Sequence, residues 1–365
     1  MRRGFLKLNK LSDVVIYPFF ECNLRCRGCP VKLPSSRKIG FLKSDPADFD
    51  VHVEIEHIRR IAQTWNVKNF VILGGEPTLS KSILYLLNEL SASDGSKIIV
   101  YTNGTLIYDY LIKNGWDVKM DAFMSYVDLL IVSLEGDKYW TSILRGRGVY
   151  DKVVYVVDKL LDKKKDVIVR MSYFKDNVNS VVNEIERFSK EGVKVVLFPR
   201  IGETPLSVKE THALYTIVSS YENADILLPS YKNFLGLNQK GVACPAGWAK
   251  VCLLPDGWLT PCQWNFDKVA HMSWKDEWIE DSFRWWYRYN SRIRDVCITC
   301  RYVTECRGSC RAARDYLSCP VAKGIVLKDV DIELFGEVRE VRRSKILARM
   351  KKMEGMVLHG CTAAC

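Results

Sequence analysis

The sequence predicts an α/β protein: a parallel sheet with helices packed outside it, followed by a small cysteine-rich domain. Three observations carry this. Short apolar, β-branched segments alternate with amphipathic helical stretches from residue 13 to about 223, the pattern of strands joined by helical crossovers. The residues that bear chemistry follow those segments, at the strand ends where α/β folds place their sites. Of the 13 cysteines, three lie before residue 30, none between 30 and 243, and ten after, so the last third of the chain differs in kind from the first two.

The first strand, Val14–Phe20, runs into Glu21-Cys22-Asn23-Leu24-Arg25-Cys26-Arg27-Gly28-Cys29-Pro30. The spacing C-x3-C-x2-C supplies three thiolates, whereas cysteine normally supplies all four ligands of a [4Fe–4S] cluster. Such a loop leaves one iron open; the alternative is a zinc knuckle or a structural thiol cluster. The second strand, Asn69–Leu73, ends in Gly74-Gly75-Glu76-Pro77. Paired glycines let backbone approach a ligand closely, and a carboxylate there can accept hydrogen bonds from an ammonium group. The third strand, Ile98–Thr102, ends in Thr102-Asn103-Gly104-Thr105. The fourth, Leu129–Ser133, ends in Ser133-Leu134-Glu135-Gly136, with Leu144-Arg145-Gly146-Arg147-Gly148 beyond. A helix over Tyr150–Lys163, a strand over Val167–Tyr173, a helix over Val178–Lys190 and a strand over Val193–Phe198 complete the series. In the second of these helices Val178, Val181, Val182, Ile185 and Phe188 recur at helical spacing. Six strand–helix units are too few for a closed eight-stranded barrel.

Beyond residue 240 the chain reads Cys244-x7-Cys252-x9-Cys262 and then Cys297-x2-Cys300-x5-Cys306-x3-Cys310-x8-Cys319. Pro255-Asp256-Gly257 marks a tight hairpin turn, which sets Cys252 and Cys262 nearly opposite each other on its two strands. So dense a run cannot be a disulfide ladder without strain; metal centres, either iron–sulfur clusters or four-cysteine zinc sites, are the reading.

At 365 residues and 48% hydrophobic content, the chain can bury a large core in two domains. No apolar run approaches the ~20 residues that span a bilayer. The N-terminus is basic, but Asp13 and Glu21 interrupt the apolar stretch after it, so no signal peptide is visible and a cytoplasmic protein is expected. The net charge of +11 favours an anionic partner.

The cysteine loop with GGEP, TNGT, SLEG and the Arg145-Gly146 segment, in this order, resembles the radical S-adenosylmethionine (radical SAM) enzymes. The resemblance implies a partial (β/α)6 TIM-like barrel. In it Cys22, Cys26 and Cys29 hold a [4Fe–4S] cluster whose open iron takes the amino and carboxylate groups of SAM. It also implies cleavage of SAM to a 5′-deoxyadenosyl radical, with electrons from a low-potential donor of ferredoxin or flavodoxin type. Gly74, Gly75, Glu76 and Pro77 then face the SAM amino group, with Asn103 beside them, and Ser133 and Arg145 are candidates for its ribose and carboxylate. One departure stands out: the position before the third cysteine, commonly aromatic in the family, is Gly28.

The C-terminal cysteines resemble the SPASM domain, an auxiliary-cluster module with a β-hairpin and short helices. That resemblance implies two more [4Fe–4S] clusters, three in all: one on Cys244, Cys252, Cys262 and Cys310, the other on Cys297, Cys300, Cys306 and Cys319. The spacing before Cys319 is shorter than the family's usual one. The expected organisation is an N-terminal extension over 1–12, the barrel over 13–205, a bridging region over 206–240, the SPASM module over 241–325, and a basic helix with a cysteine-containing tail over 326–365.

Relatives with this module most often oxidise peptides or proteins, which makes peptide or protein maturation the first expectation for the substrate. Modification of a tetrapyrrole or other cofactor precursor is the second, and a non-catalytic multi-cluster electron carrier the third; nucleic acid is not expected as a partner. In sulfatase maturases an aspartate follows the G-x4-C cysteine and acts as base. Here that residue is Gln263, which cannot accept a proton at ordinary pH. Seven of ten tryptophans fall between Trp248 and Trp286 and are expected to pack around the clusters. The basic stretch Glu337–Lys352 is expected to be a solvated helix face. Cys361 and Cys365 are left over, in a chain end expected to be loosely ordered.

Overall fold

The computed structural model describes residues 11–29, 31, 51–92, 95–200, 203–204, 206–226, 246–247, 249–263 and 267–290. Among these residues ten strands form one sheet. They are β1 Asp13–Ile16, β2 Asn69–Ile72, β3 Lys97–Thr102, β4 Leu129–Leu134, β5 Val167–Tyr173, β6 Lys194–Pro199, β7 Ala224–Ile226, β8 Lys250–Leu253, β9 Trp258–Thr260 and β10 Ala270–His271. Their spatial order is β10-β9-β8-β1-β2-β3-β4-β5-β6-β7. From β8 to β7 every neighbouring pair is parallel, and only the β8-β9-β10 end is antiparallel.

Helices fill the crossovers: α1 Val51–Trp65, α2 Ile83–Ser91, α3 Thr105–Asn114, α4 Val118–Tyr126, α5 Lys138–Arg145, α6 Val149–Asp162, α7 Val178–Lys190 and α8 Val208–Val218. A further helix, α9 Asp276–Asn290, packs near β10. Side chains alternate between the faces of each strand. Val14, Ile16, Phe70, Ile72, Val100 and Val169 point outward and pack with Ile58, Leu86, Val153 and Ile185 of the helices. Val15, Val71, Ile99, Ile131, Ile168 and Val196 point inward and form a second core along the concave face. This is the open, partial-barrel arrangement, with the loops after the strands gathered at one rim.

Two differences from the sequence expectation concern the ends of the sheet. It carries eight parallel strands rather than six, because β7 adds beside β6 and β8 adds beside β1. Strands of three and four residues are too short to show a period. The first arm of the cysteine hairpin therefore belongs to the barrel's own sheet, with Cys252 in register with Val15. Within the hairpin, Cys252 pairs with Thr260, not Cys262. Cys262 lies two residues farther on, a diagonal neighbour on the same face. Both cysteines are buried.

Cys244, Cys297, Cys300, Cys306, Cys310, Cys319, Cys361, Cys365 and the stretch Glu337–Lys352 lie outside the described residues. So do the expected boundaries at 240 and 325.

Candidate active site

The cysteine loop continues β1 across the rim and is laced to the end of β2. Leu73 N donates to Ile16 O at 2.9 Å, Gly75 N to Phe19 O at 3.2 Å, and Glu76 N to Glu21 O at 2.8 Å. The lacing explains the paired glycines. A Cβ on Gly75 would sit 1.7 Å from Glu21 O, and one on Gly74, whose φ is +148°, 2.8 Å from Phe19 O. The close approach that these glycines permit is therefore to the chain's own cysteine loop, where the motif alone suggests a ligand. Gly28 has φ +65°, a left-handed conformation in which a bulky side chain is an outlier. An aromatic residue at this position would carry that strain.

Glu76 is almost fully buried and ties three segments together. Its Oε1 accepts from Thr102 Oγ1 at 2.6 Å, Thr78 Oγ1 at 2.6 Å and Thr78 N at 3.2 Å; its Oε2 accepts from Asn103 N at 2.7 Å. Burial raises its pKa above the ordinary carboxylate value, and these hydrogen bonds pull against that rise. Pro77 begins the 3-10 turn Pro77–Leu79, which Glu76 caps. Replacing Glu76 by alanine strands buried donors, each at about 1–3 kcal/mol. We expect Glu76→Ala to lower the thermal midpoint as well as to weaken SAM binding, read by melting and titration. Glu76→Gln, which keeps one acceptor oxygen, should recover part of both.

Asn103 passes the connection to the cysteines. Its Nδ2 donates to Asn23 Oδ1 at 2.8 Å and lies 3.7 Å from Cys22 Sγ. Its Oδ1 accepts from Thr105 N at 2.9 Å and Thr105 Oγ1 at 2.6 Å. Leu24 N donates to Cys22 Sγ at 3.4 Å. Burial pushes the Cys22 thiol up in pKa, against that backbone bond. Burial also raises Cys26, with Arg145 opposing it.

The far side of the loop is held by a second buried carboxylate, Glu135. Arg145 Nε and Nη2 both donate to its Oε1, at 2.9 and 2.7 Å. Its Oε2 accepts from the Ser172 hydroxyl and pairs with Arg200 Nη1 at 3.1 Å. Arg200 also donates to Arg27 O, Arg27 pairs with Glu203 at 3.1 Å, and Arg27 N donates to Leu144 O at 2.9 Å. Burial works against the Arg145 charge, but Glu135 and Cys26 outweigh it and raise its pKa. Ser172, Arg200 and Glu203 are contributors outside the sequence motifs, and Asn23 and Glu135, though inside them, have no role assigned there. Ser172 and Arg200 carry a signal that could find them, since each lies one alternate position beyond an inward residue of the fifth or sixth strand.

One cavity of about 190 Å³ opens between these two hubs. Cys22, Cys26, Cys29, Gly74, Gly75, Glu76, Asn103, Ser133 and Arg145 all line it; Pro77, Cys252 and Cys262 do not. Gln263, from the far side of the hairpin, does. Cys252 lies beneath, its thiol raised in pKa first by burial and then by Cys262. Among the described residues, no three His, Cys, Asp or Glu side chains converge as a single-ion site. Three thiols spread around one cavity are a donor set for a group of several irons, each taking one thiolate, so the residues fit an iron–sulfur cluster.

Residues 16–188 match the radical SAM superfamily. Over 174 residues the chain is 30% identical to the 7-carboxy-7-deazaguanine synthase of Clostridium acetobutylicum, a match that spans 47% of this chain and 71% of that protein. Over 168 residues it is 30% identical to the GTP 3′,8-cyclase of Alkaliphilus metalliredigens, covering 44% of this chain and 48% of the cyclase. The chain thus spans about half the length of the cyclases it matches. The chain belongs to the radical SAM superfamily, and membership implies an enzyme that uses a [4Fe–4S] cluster and SAM.

Among solved structures, Streptococcus suis SuiB bound to S-adenosylmethionine superposes with a TM-score of 0.61 at 17% identity, over 85% of this chain and 76% of that one. The enzyme anSMEcpe with bound AdoMet gives a TM-score of 0.61 at 15% identity, over 93% and 96%. These likenesses show the fold. No helix among the described residues is long and apolar enough to cross a membrane.

Proposed function

We propose that this radical SAM enzyme carries out oxidative modification of a peptide or protein, with a SPASM module over 241–325 following a barrel over 13–205. The observation that carries the reading is that the three thiols of the strand-end loop, the Gly74-Gly75-Glu76 turn, Asn103, Ser133 and Arg145 share one cavity with Gln263 of the cysteine hairpin. In this reading Cys22, Cys26 and Cys29 hold the cluster. Bound together, cluster and SAM supply the radical chemistry that removes a hydrogen atom from a substrate carbon.

The chain's own residues do the rest. The Gly74-Gly75-Glu76 turn and Asn103 would hold the amino end of SAM, and Ser133 and Arg145, on the same cavity, would hold its ribose and carboxylate. Glu135 and Arg200 hold Arg145 and the loop in place. Cys244, Cys252, Cys262 and Cys310 hold one auxiliary cluster, and Cys297, Cys300, Cys306 and Cys319 the other; the burial of Cys252 and Cys262 on one face of the hairpin suits such a centre. An external low-potential donor of ferredoxin or flavodoxin type supplies electrons. Structures of anSMEcpe with bound Cp18Cys and Kp18Cys peptides support a peptide substrate.

A second reading, modification of a nucleotide-like or other cofactor precursor, draws on the relatives named as GTP 3′,8-cyclase and 7-carboxy-7-deazaguanine synthase. Those matches cover less than half of this chain. Anaerobic reconstitution with SAM and dithionite, assayed for 5′-deoxyadenosine, tests the shared core of both readings. Incubation with peptides encoded by neighbouring genes, and separately with nucleotide and tetrapyrrole cofactor precursors, separates them by mass change.

Gln263 gives a further expected result. Its amide cannot serve as a general base, so Gln263→Ala should leave the number of ionisations in the pH–rate profile unchanged while lowering the rate through lost substrate orientation. Disappearance of one limb of the profile would overturn this.

A further inference from the structure

Four arginines line the cavity, and three have an anion. Arg145 and Arg200 share Glu135, and Arg27 pairs with Glu203. The fourth, Arg170, projects from the inner face of β5, in register with Ser133 on one side and Val196 on the other. Its Nε is buried with no hydrogen-bond partner, and among the described residues it forms no salt bridge. Glu135 has no capacity left for it, because a carboxylate offers about four acceptor sites and Arg145, Ser172 and Arg200 occupy that many. Burial lowers the Arg170 pKa, with Tyr101 and Glu135 partly offsetting it, yet a guanidinium stays charged in proteins.

Arg170 as a whole is half-buried, but its Nε is shut off from solvent, and a charge so placed without a contacting counterion is costly until something arrives to pair with it. The surroundings point to what that is. The guanidinium carbon lies over the Phe198 ring, 5.3 Å from its centroid, a cation–π contact that leaves its N–H groups without an acceptor. A guanidinium presents its N–H groups as a planar fork, the geometry that takes a carboxylate or phosphate by two parallel hydrogen bonds. Tyr17, Tyr101 and Gln263 border the same space. Arg170 also lies two residues deeper along β5 than Ser172, the layer to which Arg200 pins the cysteine loop. It therefore opens on the barrel side of the loop.

We propose that Arg170 is the anchor for an oxyanion, carboxylate or phosphate, carried by the substrate, and that it selects anionic substrates and fixes their depth beneath the cysteine loop. This rests on the radical SAM reading of the cavity, which assigns SAM to Ser133 and Arg145.

The test uses the reconstituted full chain with benzoate and inorganic phosphate as probes. Each probe should raise the thermal midpoint of the wild type more than that of Arg170→Met, and calorimetric affinity for either should fall at least tenfold in the variant. SAM affinity should stay within about twofold. In the ligand-free protein Arg170→Met should melt no lower than wild type, because it removes an unpaired charge while keeping an apolar stem. Arg170→Lys, which keeps the charge without the fork, should retain part of the anion response and guards against a misfolded methionine variant. A tenfold loss of SAM affinity in Arg170→Met would assign the anion to SAM's own carboxylate and overturn the substrate anchor. An unchanged probe response with a lowered melting point would make Arg170 structural and overturn it as well. If the wild type itself fails to bind SAM, the assignment of SAM to this cavity fails, while the probe response still judges Arg170.

Discussion

Alanine at any one of Cys22, Cys26 or Cys29 should abolish 5′-deoxyadenosine formation, down to the level of enzyme-free controls. Each thiol lines the same cavity, and each iron of a cluster needs its own ligand, so two remaining thiols leave a second iron open to solvent and the cluster falls out. Iron content should drop by about four per chain, roughly a third if three four-iron clusters are present. The charge-transfer bands and resonance signals of any auxiliary centres should persist. The fold should survive, because these side chains are only partly buried and the loop is held by backbone bonds and by Asn103 and Arg200. SAM cleavage at wild-type rate in any of the three would overturn the assignment of the cavity.

Gly75→Ala should come close to that effect without touching a ligand. The added methyl would overlap Glu21 O at 1.7 Å and Phe20 O at 2.5 Å. Backbone on both sides is fixed by the parallel β1–β2 ladder, so neither strand can yield cheaply. Overpacking typically costs about 1–3 kcal/mol and occasionally more, and the bonds from Gly75 N and Glu76 N to the cysteine loop would be lost too. The expected outcome is a lower thermal midpoint together with poor cluster incorporation. Gly115→Ala is a control for an added methyl: nothing lies within 4 Å of its Cβ position, although, unlike Gly75, Gly115 has a positive φ of +68°. With ψ −164° it occupies a region used essentially by glycine alone, so it should lose about 1–3 kcal/mol through backbone strain, with cluster content intact.

What the sequence makes legible depends on the range of the interactions involved. Strands β1 to β6 are readable because a β-branched apolar run flanked by turn residues is a local signal; the strand at Val167–Tyr173 matches to the residue. The members of the cavity are readable where they sit in short motifs, such as Gly74-Gly75-Glu76 or Ser133. Their partnerships are not. The union of Glu135 with Arg200 joins residues 65 positions apart, and no local pattern announces it. Glu76 reads as a ligand contact because its motif is local, whereas its engagement with Thr102 and Asn103 depends on two strands lying side by side. The pairing of β8 with β1 is the hardest to foresee. It joins residues more than 230 positions apart, and the four residues of β8 look no different from any hairpin arm.

That pairing makes the cysteine hairpin a protector of the barrel. Without β8, the outer edge of β1 would present a row of bare backbone donors and acceptors beside a buried apolar face, a template for another strand to add to. As it stands, Asp13 N donates to Ala249 O and Tyr17 N to Leu253 O. The strand that carries the cysteine loop is thus sheltered by the strand that carries Cys252. The two halves are stitched along one ladder and should open as one cooperative unit. A displacement of the hairpin has only one strand ladder to cross before it reaches the loop of Cys22, Cys26 and Cys29.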